Sequence, residues 1–173
     1  MSKAVLISIR PKWCEKIVNG EKTIEVRKTR PKLETPFKCY IYETGGFVEK
    51  DGTMTFMPGG TVIGEFMCDA IPRVNICGFW GDSGKQLDNR LKETCLTPEE
   101  LCNYLGEKVG YGWHISGLKM YDAPRELGEL RRVCPNDLYC ESCAMYRENK
   151  GTCGNKSLRF KRPPLSWCYV EEM

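Results

Sequence analysis

Apolar residues along this chain fall in short blocks, and the period inside each block names its element. The run "AVLISI" (4–9) is almost continuously apolar, as in a strand covered on both faces. Residues 11–18 then switch to helical spacing. Pro11 suits a first helical turn, Trp13 with Ile17 and Cys14 with Val18 make one i,i+4 stripe, and Asn19-Gly20 closes it with a left-handed cap. In "TIEVR" (23–27), Ile24 and Val26 alternate with Thr23, Glu25 and Arg27, which predicts a strand with one polar face. That face is either a solvated edge or the floor of a site.

Further on, "FKCYIYE" (37–43) reads as a strand, Asp51-Gly52 as a hairpin turn, and Pro58-Gly59-Gly60 as a second turn. Residues 61–74 form one expected strand, with Gly64 at a bulge or tight bend. The glycine-broken stretch 77–92 reads as a surface loop. Thr97, Pro98, Glu100 and Gly106 frame a helix with a capping box. In 111–124 a strand puts Trp113 and Ile115 on one face and His114 and Ser116 on the other. Pro163-Pro164 leads into a last strand, "SWCYVEE".

Many short strands with two or three short helices predict an α+β or β-barrel fold rather than a doubly wound one. The 173 residues suit one domain, 1–173, and only residues 131–162 stand apart as a cysteine-rich insertion. No repeat, low-complexity tract, Walker loop or dinucleotide fingerprint is present. The N-terminal apolar run is too short for a secretory signal, and no later run approaches a membrane span. A cytoplasmic protein with no membrane partner is expected.

Charge changes the picture locally. The net charge is only +3, yet nine of the 26 Lys and Arg lie within residues 1–32 against three Glu. Such a bias marks an anion-facing surface, or a solvated helix face and turn. Lys22 and Arg27 can engage phosphate, Arg bidentately, and Glu25 can accept from an exocyclic amine. The plainer alternative is that Glu25 pairs with Lys22 or Arg27 and neutralises a barrel rim. Trp80 is the best base-stacking candidate, ahead of Trp113 and Tyr111, while Trp13 reads as core. His114 reads as a barrel residue rather than an acid–base group.

The segment "LISIRPKWCEKIVNGEKTIEVRKTRP", with its Gly20-x-Lys22-x-x-Glu25-x-Arg27 signature, resembles the ASCH domain of the PUA-like superfamily, and most of all bacterial and phage-encoded ASCH proteins. "TVIGEF", "YGWHISGLKMYD" and "PPLSWCYVEE" add to the likeness. The resemblance implies a mixed β-barrel with a cleft beside the first helix that receives RNA or a nucleoside. Ligand-binding residues would be Arg10, Lys22, Thr23, Glu25, Arg27 and Trp80. Some relatives are amidohydrolases acting on acylated cytidine, and others ribonucleases; in an enzyme of either kind, Lys22 and Glu25 would be catalytic. The amidohydrolase pattern expects threonine where Glu25 stands, and a carboxylate there opposes use of the lysine as a base. Binding is therefore the preferred expectation, and a hydrolase using the same cleft the alternative.

Eleven cysteines without a secretory signal point to reduced thiols. Cys134, Cys140, Cys143 and Cys153 include a C-x2-C knuckle suited to structural Zn. An iron–sulfur cluster or free thiols are the other readings. A zinc knuckle would also suit an adaptor that docks a protein partner. The remaining seven cysteines read mostly as core.

Overall fold

The computed structural model describes residues 2–75, 78–79, 84–134, 142–149 and 153–173. Strand β1 (Lys3–Ile9) runs parallel to β3 (Phe37–Glu43) on one side and antiparallel to the edge strand β10 (Trp167–Glu171) on the other. Its lack of alternation has a direct cause. Val5, Ile7 and Ile9 enter one apolar cluster, while Ala4 and Leu6 enter a second on the opposite face. Both faces of the strand are therefore core.

The sheet continues from β3 to β6 (Thr61–Cys68), β9 (Gly110–Glu126), β7 (Arg73–Asn75) and β8 (Gly78–Phe79), and β2 (Ile24–Arg27) also pairs with β9. This mixed sheet curls into a half-barrel around Phe37, Phe66, Trp113 and Ile115. Register shifts in β6 near Gly64 help the curl. A Cβ on Gly64 would sit 2.6 Å from the Lys119 carbonyl oxygen, so only glycine fits that approach. The expected single strand over 61–74 is instead two. It breaks at Asp69–Pro72, where the carbonyls of Ala70 and Pro72 still accept from the His114 and Gly112 N–H groups.

A separate hairpin, β4 (Gly46–Lys50) with β5 (Thr53–Met57), turns through Asp51 and Gly52. Both have positive φ (52° and 76°), as a type I′ turn demands.

Helix α1 (Pro11–Val18) has its expected bounds, but its buried stripe is Pro11, Cys14 and Ile17. Val18 is 48% exposed and Trp13 is only half-buried, so neither is the core residue that i,i+4 spacing implied. The expected loop over 77–92 contains α2 (Gly84–Thr94). Its glycines gather at the entry, and Lys85, Gln86, Leu87, Arg90, Leu91, Lys92 and Glu93 after them are strong helix formers. Helix α3 (Pro98–Leu105) carries the predicted capping box of Thr97 and Glu100, and packs Leu101 and Leu105 on Ile24, Val26 and Val74. The insertion includes a short helix, α4 (Ala144–Glu148). Its two legs are tied to the core by buried Leu130, Leu158 and Phe160 and by a bridge between Arg131 and Arg159.

Candidate functional site

Strand β2 pairs Glu25 with Trp113 and Arg27 with Tyr111 on β9, so both charged side chains share the face that looks inward. Glu25 lies between two cations. Its Oε2 is 3.2 Å from the Lys22 Nζ, and its Oε1 is 2.9 Å from an Arg27 Nη. All three side chains are at least nine-tenths buried. Lys22 also donates to the carbonyl oxygen of Thr94, at the end of α2. Arg27 donates to the Ser8 carbonyl oxygen at 2.6 Å and to the Ser166 hydroxyl at 3.3 Å. The Arg27 Nε is buried without a partner.

The ion pairing of the plainer alternative is thus present, but it does not balance. Two cations meet one carboxylate, which leaves surplus positive charge where water screens poorly. An unpartnered guanidinium N–H adds an unused donor, and a buried donor left unmet is costly.

This cluster borders a cavity of about 430 Å³, within the ~300–1,000 Å³ range of small-molecule sites. Arg10, Trp13, Glu100, Tyr104 and Leu165 complete much of its wall. The Trp13 ring lies near two ammonium groups, Lys12 at 4.6 Å and Lys22 at 5.0 Å from the ring centre. Lys12 also reaches Glu100 at 3.7 Å, joining α1 to α3.

The structure therefore brings Arg10, Lys22, Glu25 and Arg27 to one cavity. Thr23 is not part of its lining; its N–H bonds the Glu93 carbonyl and its own carbonyl accepts from Ile115. Trp80 lies outside the described residues. Trp113 is fully buried against Phe37 and Trp167, which removes it as a stacking surface. Trp13, read as core, is instead the tryptophan on the cavity wall. Thr94, Tyr104 and Ser166 were not singled out from sequence. Each reaches the site from an element remote in the chain, and no local pattern announces that.

His114 lies on β9, a barrel strand. It is a partly exposed residue whose Nδ1 lies 2.6 Å from Asp69 Oδ1. It borders a second cavity of about 600 Å³ with Lys85, Asn89, Arg90 and Glu93.

Of the cysteines read as core, Cys14, Cys39 and Cys68 are buried, and burial pushes the Cys68 thiol up to about 12. Cys102 is exposed, so it does not belong with them. Cys134 and Cys153 are half-buried and Cys143 is exposed; Cys140 lies outside the described residues. Among the described residues no group of three or more His, Cys, Asp or Glu is placed to hold a metal.

Residues 7–72, which include Arg10, Trp13 and the whole Lys22–Glu25–Arg27 cluster, match the family model of the ASCH domain. Over that stretch the chain is similar to an ASCH domain. ASCH domains are generally RNA-binding modules with a PUA-like fold. A mutant of the ASCH protein from Zymomonas mobilis, with Tyr replaced by Phe, is 17% identical with a TM-score of 0.60, covering 99% of this chain and 92% of that one. The crystal structure entitled ASCH from the same organism is 20% identical with a TM-score of 0.54, covering 98% and 88%. At such identities the likeness speaks to the fold, an α+β half-barrel shared over nearly the whole chain. No curated protein matches the sequence. Among the described residues no helix is long and apolar enough to cross a membrane.

Proposed function

We propose that this chain binds RNA, seating one nucleotide in the cavity over Lys22, Glu25 and Arg27. The observation that carries the reading is the buried pairing of two cations with one carboxylate, with the Arg27 Nε still unpartnered. A phosphate would complete that arrangement, because Arg presents its donors as a fork matched to phosphate oxygens. Glu25 holds both cations in place, and Trp13 offers a ring face for a base. Lys22 serves as a cation, since Thr94 and Glu25 both accept from or pair with its ammonium group.

Fluorescence anisotropy with a labelled single-stranded RNA tests this. Arg27→Ala should weaken binding at least tenfold, and wild-type affinity should fall as salt rises. Because Arg27 also ties β2 to Ser8 and Ser166, the exposed Arg10→Ala provides a control that spares the core; a loss of roughly threefold, about 0.7 kcal/mol, is expected there. Unchanged affinity in both variants overturns the assignment. Wild-type turnover of RNA or acylated cytidines, abolished in Lys22→Ala, would make the site that of a hydrolase.

A further inference from the structure

The chain leaving the cavity carries a second pattern. Lys28 lies 5.1 Å from the centre of the Tyr104 ring, and the Arg30 guanidinium 5.8 Å from that of Tyr111. Lys12 stands over Trp13 in the same way. Trp13 and Tyr104 both line the cavity, and Tyr111 is the cross-strand partner of Arg27, which lines it too. Two cation–ring pairs therefore follow Arg27 in the chain, one at Lys28 and one at Arg30. The segment between them is anchored to β10. The Thr29 hydroxyl accepts from the Trp167 indole N–H at 2.9 Å, and the Lys32 N–H donates to the Tyr169 hydroxyl at 2.7 Å. Lys28 and Arg30 themselves are exposed.

We infer that Lys28–Tyr104 and Arg30–Tyr111 are two outer subsites for nucleotides flanking the one in the cavity. The ligand class is then a single-stranded RNA of three or more nucleotides, not a free nucleoside. This rests on the RNA-binding reading and extends it. Each pair supplies both things a nucleotide needs, a ring face for the base and a cation for the phosphate. Base–aromatic stacking is generally stronger than an exposed cation–π contact. An arriving base therefore displaces the cation from the ring, and the cation is left beside the backbone phosphate. Stacking does not discriminate among bases, so the track is tolerant of sequence. A duplex hides its base faces and cannot use it.

The experiment compares uridine monophosphate, a uridine trinucleotide and a uridine hexanucleotide by calorimetry, on wild type, Lys28→Ala/Arg30→Ala and Tyr111→Ala. Wild type should bind the trinucleotide at least tenfold more tightly than the monophosphate. The double variant should lose most of that gain while keeping its affinity for the monophosphate, and its salt slope should fall by about 1.4, two phosphate contacts at ~0.7 each. Tyr111→Ala, which removes a ring outside the cavity lining, should lose part of the gain in the same selective way. Equal affinity for monophosphate and trinucleotide in wild type overturns the outer subsites and leaves the cavity reading intact. So does a double variant that weakens both ligands alike. If wild type binds none of the three, the RNA-binding reading itself falls. Thermal melts on every variant separate lost binding from lost fold.

Discussion

Glu25 is the residue on which the two readings of the signature converge. It forms the ion pairs that a structural role would require, and it also holds Lys22 and Arg27 in place at the cavity wall. Alternation in "TIEVR" placed Glu25 and Arg27 on one face, but did not say whether that face was wet. Trp13 shows the limit from the other side. Helical spacing assigns a residue to a face, yet Trp13 sits at the edge of its face, over a void that other elements enclose. At this scale one consequence concerns pH. The hydrogen bond from His114 holds the Asp69 carboxyl below its usual range. The folded state then takes up that proton less readily than the unfolded chain does. Stability from this pair is present above the unfolded value near ~3.9 and is lost as pH falls through the folded one. Asp69→Asn should therefore lower the melting temperature at pH 7, and the gap to wild type should close in acid as pH falls through the depressed folded value. A gap that persists unchanged in acid would show that Asp69 acts by packing alone.

At the scale of elements, legibility followed the strength of local punctuation. Helix α3 could be read because Thr97, Pro98, Glu100 and Gly106 each have a specific job at a helix end, and the capping box is formed as predicted. Helix α2 was hidden because its glycines suggested a loop and its residues are mostly polar. Its contribution is tertiary: Leu91 joins the cluster around Ile24, and the Thr94 carbonyl accepts from Lys22. The insertion over 131–162 belongs at this scale too. Its legs are held together where the Arg131 guanidinium donates to the Cys153 carbonyl at 2.6 Å. We propose that Cys134, Cys140, Cys143 and Cys153 hold a structural zinc ion. The C-x2-C spacing supports this, as does the scarcity of apolar residues between the anchored legs. Elemental analysis of protein purified without added metal should find close to one zinc per chain, and Cys143→Ser should lower that content. Less than a tenth of an equivalent would rule out a stable site.

For the whole molecule, the closing strand matters more than its length suggests. β10 covers one edge of β1 and sends Trp167 against Trp113, and the segment leading into it supplies Ser166 to Arg27. Ending the chain after residue 162 should therefore abolish cooperative unfolding in thermal melts, since β1 would lose a partner and the core a tryptophan. A truncated chain that still melts cooperatively near the wild-type temperature would show that β10 is dispensable. Local sequence determined most of the strands, the bounds of α1 and α3, the α+β class and the charged residues of the signature. Those follow from periodicity and capping, which act over a few neighbouring residues. Only the tertiary structure decided that Glu25 and Arg27 are buried, that Trp13 faces a cavity, and that Thr94 and Ser166 complete the cluster. Each depends on bringing together residues far apart in the chain, for Lys22 with Thr94 as for Arg27 with Ser166, and no short window of sequence contains such a contact.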